Sequence, residues 1–217
     1  MEIINLMEQR HSVREYIDKE IDSNTKQILT EDISGLNKQY NTNVQIVFDD
    51  PNGFANAQKS YGNFSGCKNY VVYVGKDATT CGYVGGLISL KAQSLGLNSC
   101  FVALTYKKSN AKKKVNINKG EKIQCSMALG YGKNQGSSHK IKTKDQVLEL
   151  IGEQNEKLDD VIKACLLAPT AINQQKFKVI CKDKNIEIVK SGFGFYTDFD
   201  LGIIKSFADL VLGKVEI

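Results

Sequence analysis

The feature that most constrains the fold is a long apolar segment between residues 82 and 95. Apolar residues recur there with helical spacing on several faces, and Gly96 follows where a glycine commonly ends a helix. These residues are Val84, Leu87, Ile88, Leu90 and Ala92. A helix that is apolar on most sides must be covered by other elements. The segment therefore predicts a buried central helix.

Short β-prone runs and amphipathic segments surround this helix. We predict strands over residues 44–48, 70–74, 100–102, 123–129, 177–181 and 186–189. We predict further helices over residues 3–9, from the N-cap Ser23 onwards, over 158–167 and over 202–212. This content predicts an α+β fold, in which helices pack on a mixed, mainly antiparallel sheet around the central helix.

Residues 133–145 are rich in Lys, Ser, Asn and Gly and are the best candidate for a connection between lobes. We therefore expect an N-terminal lobe of residues 1–145 and a C-terminal lobe of residues 146–217. The order of elements begins again after this link, although residues 29–37 align with residues 161–169 only loosely. A single-chain pseudo-dimer is thus a hypothesis that depends mainly on element order.

Charge and cysteine content argue against several function classes. The formal net charge is +5, but the lysines are scattered and the cluster at residues 107–114 lies in a predicted loop, which favours a solvated surface over nucleic-acid binding. The six cysteines form no CxxC pair, and most lie in apolar runs typical of reduced core thiols. The spacing of His11 and His139 indicates no metal site or catalytic triad.

No segment has the pattern of a secretion signal, and none reaches the roughly 20 apolar residues that span a bilayer. We therefore expect a cytoplasmic protein without a membrane or nucleic-acid partner.

The first candidate site is the segment Arg10-His11-Ser12-Val13-Arg14-Glu15-Tyr16. Guanidinium groups and a serine hydroxyl are directional donors that suit a phosphate dianion. The alternative is a helix C-terminus whose basic side chains only interact with the helix dipole.

The second candidate site is the segment Ala168-Pro169-Thr170-Ala171-Ile172-Asn173-Gln174-Gln175-Lys176-Phe177. Pro169 stops the preceding helix, and the small residues after it let a planar ring approach the backbone. Asn173 offers both a donor and an acceptor. The alternative is an ordinary helix-to-strand turn.

The third candidate runs from the central helix through Gly96-Leu97-Asn98-Ser99-Cys100 to the strand end Ala128-Leu129-Gly130-Tyr131-Gly132. Core packing explains its apolar part equally well, so only the exit turn after the helix is informative.

Together these segments resemble the FMN-dependent nitroreductase family, in a branch whose order of motifs is altered. The first is similar to the family's Arg-Arg/His-Ser-x-Arg-x-Phe/Tyr, and the second to Ala-Pro-Ser-Ser-x-Asn-x-Gln-Pro-Trp. The third is similar to the family's long helix with its Gly-Leu-Gly-Ser-Cys exit. Two departures stand out: Lys176 and Phe177 replace Pro-Trp, and the second motif lies near residue 170 instead of soon after the first helix.

The resemblance implies site residues. Arg10, Ser12 and Arg14 would bind the FMN phosphate and ribityl chain, with His11 contributing its backbone or ring. The segment containing Pro169, Thr170, Ala171 and Asn173 would lie against the flavin ring, and Ala103 or Leu104 would donate a backbone N–H to flavin N5. Weaker candidates are Asn63 for the pyrimidine edge and Lys142, near Lys140, for the phosphate. A simple turn and a solvated charge run are the alternatives for these last residues.

The resemblance also implies a function. FMN would pass hydride through N5 from NADH or NADPH to a nitroaromatic or quinone-like acceptor. The sequence has no GxGxxG motif or P-loop, so a nicotinamide would visit the flavin transiently, which predicts ping-pong kinetics. No catalytic side chain is singled out. The alternatives are a flavin-binding protein without turnover, for storage or sensing, and a basic nucleic-acid module.

The displaced second motif implies that one chain supplies both halves of the site. A monomer as well as a homodimer is then compatible with FMN binding.

Overall fold

The computed structural model describes residues 3–54, 63–104 and 106–217. These residues fall into two compact units. The four-stranded unit comprises the described residues of Gln9–Asp77 and Ile88–Ser137. The three-stranded unit comprises those of Met1–Glu8, Ala78–Leu87 and Ser138–Ile217. Both units are therefore built from segments that are far apart in sequence.

The four-stranded unit contains an antiparallel sheet with the strand order β1-β2-β4-β3. Its strands are β1 (Gln45–Val47), β2 (Asn69–Gly75), β3 (Asn98–Val102) and β4 (Lys122–Gly130), and its helices include α2 (Ser23–Tyr40) and α4 (Lys108–Lys112). Every residue of β2 is buried, and Tyr70 is paired with Ala128 of β4. The prediction that this continuous apolar run is an interior strand is confirmed.

The three-stranded unit contains the strand order β5-β6-β7. Its elements include α1 (Ile3–Gln9), α5 (Lys144–Val147), β5 (Leu148–Ile151), α6 (Leu158–Leu167), β6 (Phe177–Lys182), β7 (Asn185–Lys190) and α7 (Thr197–Leu212). Strand β5 runs parallel to β6, and β6 and β7 form an antiparallel hairpin. Asp183 and Lys184 form the hairpin turn with φ values of 45° and 69°, the left-handed pair that tight hairpins require.

The predicted central helix is present as α3 (Ala78–Ser94), and its apolar side chains are buried. The division between the two units falls within it. In the three-stranded unit, glycines bring its first half close to α7, because a Cβ at Gly82 would overlap the carbonyl of Phe199 and a Cβ at Gly202 would overlap that of Thr79. The helix ends as expected at Gly96, which has a φ of 77°.

The α+β class is confirmed, but several details of the prediction are wrong. The chain forms two sheets instead of one, and their pairing differs, so the repeated order of elements does not extend to strand pairing. Helix α7 begins at Thr197 instead of residue 202, because Asp198 and Asp200 favour a helix N-terminus. The lysine cluster includes the short helix α4 and is not simply a loop.

Two further differences concern local signals. The N-cap of α2 is Asp22, whose carboxylate accepts the Thr25 N–H at 2.9 Å, so Ser23 is the first helical residue. Strand β5 was not predicted.

All six cysteines are buried and free, as expected. Among the described residues, no helix combines the length and apolar character that crossing a bilayer needs.

Candidate functional site

The Arg10 segment lies along β3 in the four-stranded unit. Ser12 and Ser99 form an isolated parallel bridge, and the Val13 N–H donates to the Ser99 carbonyl at 3.1 Å. On its other side the Tyr16 N–H donates to the carbonyl of Ser65 at 2.9 Å. The first and third candidate segments are therefore brought together in this unit.

Glycines allow the chain to pack closely around this segment. A Cβ at Gly136, which has a φ of 71°, would lie 2.7 Å from the Cβ of His11. A Cβ at Gly132 would lie 2.6 Å from Oδ1 of Asn98, the atom that accepts the Gly132 N–H at 2.9 Å. The close packing of Gly136 against His11 and of Gly132 against Asn98 thus depends on the absence of a side chain at both glycines.

Arg10 is buried, with only 2% of its surface exposed. Its Nε and Nη1 atoms have no hydrogen-bond partner within the described part of the chain. Burial lowers the pKa of Arg10 to about 10, although the nearby Cys100 opposes the shift. A buried guanidinium with two unpartnered nitrogens is costly. An anion such as a phosphate would supply the missing acceptors, so the residues present fit the group that the sequence predicts.

The other residues of the first motif gather around the Cys100 thiol. Burial raises the pKa of Cys100, while the charge of Arg14, a hydrogen bond with Ser12 and the charge of Arg10 all act to lower it. Arg14 is exposed, whereas Ser12 and His11 are half-buried. Three of the predicted phosphate ligands therefore share one side of β3. We refer to Arg10, Ser12 and Arg14 as the arginine cluster.

The loop after β3 carries two more predicted residues. Ala103 is half-buried and Leu104 is 67% exposed. Within the described residues, neither backbone N–H donates to another main-chain carbonyl. The loop begins after Val102, three residues beyond Ser99 and so about 10 Å along the strand at about 3.3 Å per residue. FMN, whose phosphate and ring lie at opposite ends of a ribityl chain, has the same elongated arrangement.

Asn63 is exposed and precedes β2. Residues 60–62, the start of the turn for which it was considered, lie outside the described residues.

A cavity of about 230 Å³ opens in the four-stranded unit, and its lining includes Tyr16 of the first candidate segment and Leu129, Gly130 and Tyr131 of the third. Lys19 lies over the ring of Tyr131 in its wall, 4.0 Å from the ring centroid, and Lys68 pairs there with Asp18 at 2.5 Å. The cavity lining includes no residue of the arginine cluster. Ion pairs within the protein account for this polar wall.

The second motif forms an irregular loop in the three-stranded unit, which we call the Pro169 loop (residues 169–176). Helix α6 ends before it, and Ala171–Asn173 form a 3-10 turn. Ile172, Asn173 and Gln175 have φ values of 47°, 56° and 43°. Left-handed backbone is strained for a β-branched residue such as Ile172. The sequence prediction included the stop at Pro169 but not this conformation.

Gln175 is buried and organises one side of the loop. Its Nε2 donates to the Lys140 carbonyl at 2.7 Å and to Oδ1 of Asn173 at 2.8 Å, and its N–H donates to Oγ1 of Thr170 at 3.1 Å. The Lys142 N–H donates to Oε1 of Gln175 at 2.9 Å, and Nζ of Lys142 donates to the Gln175 carbonyl at 2.6 Å. The loop thus brings the predicted residues Thr170, Asn173 and Lys142 together.

Asn173 itself is exposed, and its Nδ2 donates to the Lys140 carbonyl at 2.8 Å. With its Oδ1 also engaged, the amide retains one N–H and one lone pair for a ligand. Pro169, Thr170 and Ala171 are half-buried.

Asp200 holds the opposite side of the loop. This carboxylate is only 6% exposed, and it accepts the Ala171 N–H on both oxygens, at 3.0 and 3.1 Å, and Nε2 of Gln174 at 2.7 Å. Burial raises the pKa of Asp200 to about 6, against the lowering effect of the two donors. The sequence analysis missed both Asp200 and Gln175. An acidic residue in the first turn of the apolar helix α7 was the available signal for Asp200.

Three large apolar side chains are exposed here: Ile172 of the loop at 79%, and Phe193 and Phe195 of the segment joined to it at 93% and 82%. The loop and the phenylalanine segment are joined, since Nε2 of Gln174 donates to the Phe195 carbonyl at 2.8 Å and Nζ of Lys176 donates to the Phe193 carbonyl. Exposed aromatic rings at one place often mark a binding surface. Their role was also not predicted.

No group of His, Cys, Asp and Glu residues suited to a metal ion occurs among the residues that the structure describes.

Comparison with known proteins gives one family match. A family model with the description "Putative TM nitroreductase" matches residues 2–211. No curated protein sequence matches the chain.

Solved structures share the fold. A nitroreductase from Thermotoga maritima MSB8 is 18% identical, with a TM-score of 0.69, over 99% of this chain and 85% of that chain. A nitroreductase from Desulfovibrio desulfuricans in complex with FMN is 20% identical, with a TM-score of 0.52, over 69% and 96%. A nitroreductase with bound FMN from Desulfitobacterium hafniense DCB-2 is 19% identical, with a TM-score of 0.53, over 68% and 97%.

Proposed function

The chain belongs to the nitroreductase family whose model matches residues 2–211, and on that premise we propose that it is an FMN-dependent NAD(P)H oxidoreductase that reduces a nitroaromatic or quinone-like acceptor. The observation that carries the proposal is the buried guanidinium of Arg10, which has two unpartnered nitrogens among the described residues. The FMN complex of the Desulfovibrio protein supports the choice of cofactor.

The arginine cluster is proposed to bind the phosphate. Arg10 would donate from Nε and Nη1, Ser12 from its hydroxyl, and the exposed Arg14 would screen the second phosphate charge. His11 would contribute its backbone or ring. Such charge-assisted hydrogen bonds are directional, so they would fix the phosphate end of the cofactor.

The Pro169 loop is proposed to support the flavin ring. Its left-handed residues turn the backbone so that small side chains, Thr170 and Ala171, border the surface. Asn173 would use its remaining N–H and lone pair at the ring edge, and Lys142 would remain the weaker candidate for the phosphate. Ala103 or Leu104 would donate a backbone N–H at N5, and Asn63 would contact the pyrimidine edge.

Bound FMN would supply the two-electron chemistry, accepting hydride from NADH or NADPH and passing it to the acceptor. The backbone N–H of Ala103 or Leu104 would stabilise negative charge that develops beside it. Phe193 and Phe195 would offer apolar surfaces for a planar acceptor. The absence of a dinucleotide-binding motif from the sequence supports a nicotinamide that binds transiently at the same place. The six buried free thiols support a reducing compartment such as the cytosol.

The test is a titration of the purified protein with FMN, followed by anaerobic addition of NADH or NADPH. We expect flavin fluorescence to be quenched at one FMN per chain and the visible absorbance to bleach with one of the two donors. A protein that binds no FMN contradicts the proposal. A protein that binds FMN but is bleached by neither donor supports the storage alternative instead.

A further inference from the structure

The Pro169 loop must be stabilised by contacts from outside the loop, because its own backbone is strained. Three residues between Ile172 and Gln175 are left-handed, and Ile172 is both β-branched and exposed. Exposed Ile172 gains little from packing that would offset this conformation. Such residues persist only where neighbouring contacts over-determine them.

Asp200 of α7 provides these stabilising contacts. Both of its oxygens accept the Ala171 N–H, which lies directly before Ile172, and Oδ2 also accepts Nε2 of Gln174. Asp200 thus contacts the loop on both sides of Ile172 and Asn173. The same Nε2 of Gln174 donates to the Phe195 carbonyl, so this hydrogen-bond network also includes the segment that carries Phe193 and Phe195.

We infer that Asp200 is a positioning residue whose ionised carboxylate keeps the Pro169 loop in its ligand-binding shape, so that FMN affinity falls when Asp200 is protonated. This inference rests on the proposed function, because it assumes that the loop contacts FMN. A carboxylate accepts on both oxygens, whereas a protonated carboxyl must donate from one of them. Protonation therefore removes an acceptor from Ala171 or Gln174.

Several charged groups of the loop, β7 and α6 have partners other than Asp200. On the loop side, Nζ of Lys142 donates to the Gln175 carbonyl and Nζ of Lys176 to the Phe193 carbonyl. On β7, Lys190 pairs with Asp198 at 2.5 Å. On α6, the charged residues Asp159 and Lys163 pair with Lys144 and Glu8.

No ion pair of Asp200 occurs within the described residues, and the dominant influence on its pKa is burial, which raises it to about 6. Its ionisation state therefore changes in mildly acidic solution, where most carboxylates remain charged.

The experiment compares FMN dissociation constants between pH 5 and pH 8 in the wild type, Asp200→Asn and Asp198→Asn. Asp198→Asn is the matched control, since it makes the same chemical change on the same turn of α7 at an exposed site. The FMN phosphate and the other ionisable groups are common to the wild type and Asp200→Asn, so their contributions cancel in that comparison.

Below pH 6, we expect the FMN affinity of the wild type and of Asp198→Asn to fall with decreasing pH by up to about tenfold per pH unit more than that of Asp200→Asn. Asp200→Asn should bind FMN at least tenfold more weakly than the wild type at pH 8. Identical pH profiles for the wild type and Asp200→Asn would overturn the inference, as would equal affinity at pH 8.

A second measurement does not need the cofactor. Amide exchange of Ala171 in the FMN-free protein, expressed as a protection factor, should be slow in the wild type at pH 7.5 and fast in Asp200→Asn. Unchanged protection of Ala171 would overturn the anchoring role. If Ala171 loses protection in Asp200→Asn but the wild type binds no FMN, the anchoring role of Asp200 is supported and the proposed function is refuted.

Discussion

The backbone of Val13 is hydrogen-bonded to that of Ser99, with 3.1 Å between the Val13 nitrogen and the Ser99 oxygen. This contact joins the segment after the first helix to the strand that follows the central helix. It places the arginine cluster beside Cys100 and aligns it with the start of the Ala103–Leu104 loop. Several predictions about cofactor binding depend on this alignment, and the others concern the Pro169 loop.

Replacing Arg10 by Met should separate FMN affinity from stability. The free energy of FMN binding should become less favourable by about 1.5 to 3 kcal/mol, the scale of a hydrogen bond to a charged group. The free energy of unfolding of the FMN-free protein should rise by about 1 to 3 kcal/mol, because an unpaired buried charge is removed. Fluorescence titration and urea unfolding measure the two effects. Lys114→Met is the exposed control, and a loss of stability in Arg10→Met would contradict the assignment.

The free energy of unfolding should depend on pH through the ionisation of Asp200. Because folding raises the pKa of this carboxyl from 3.8 to about 6, the folded state binds more protons in that window. Stability contributed by Asp200 is therefore lost as pH rises from about 4 to about 6, by about 3 kcal/mol in total. Urea unfolding across this window should show the wild type losing stability relative to Asp200→Asn as the pH rises. A difference independent of pH would contradict the shift.

Steady-state kinetics should follow a ping-pong pattern. If the nicotinamide leaves before the acceptor binds, double-reciprocal plots at several fixed acceptor concentrations give parallel lines. The physical reason is that the sequence offers no separate dinucleotide site. Lines that intersect would show that both substrates bind together.

Removing the exposed rings should weaken binding of aromatic acceptors. Phe193→Ala and Phe195→Ala should each raise the KM for a nitroaromatic by about fivefold, the effect of about 1 kcal/mol of aromatic contact. The kcat should change little, and ferricyanide should be unaffected because it has no ring to stack. Leu150→Ala, at a 46% exposed apolar site of the same unit, is the control. Equal KM changes for both acceptors would argue against ring stacking.

One chain should retain one FMN without a partner. The displaced motif near residue 170 implies that a single chain supplies both the arginine cluster and the Pro169 loop. Light scattering combined with flavin absorbance at low protein concentration should find FMN in a species of one-chain mass. A cofactor-free monomer beside an FMN-containing dimer would show that the site is shared between subunits.

The sequence was sufficient where local pattern and burial agree. The interior strand β2 and the central helix α3 were predicted because each is apolar on most sides. Arg10 was identified as a candidate from its motif. Pro169 was identified from its motif and because proline ends a helix.

What the sequence did not reveal depends on contacts between distant residues. Asp200 meets Ala171 across 29 positions, and neither residue carries a local signal for the other. The left-handed backbone of Ile172 contradicts its own conformational preference. Single-sequence patterns favour the local preference, so the structure of the Pro169 loop had to come from its tertiary contacts.

The discontinuous composition of the two units affects how the chain is made. The four-stranded unit has all of its segments once Ser137 has left the ribosome, whereas the three-stranded unit draws on residues 1–8 and 78–87 as well as 138–217. Its early segments must therefore wait for the last third of the nascent chain, and chaperones commonly shield such waiting apolar segments. Cleavage between Ser137 and Ser138 would leave the C-terminal fragment without α1 and the first half of α3. No single cut separates the segments of one unit from those of the other.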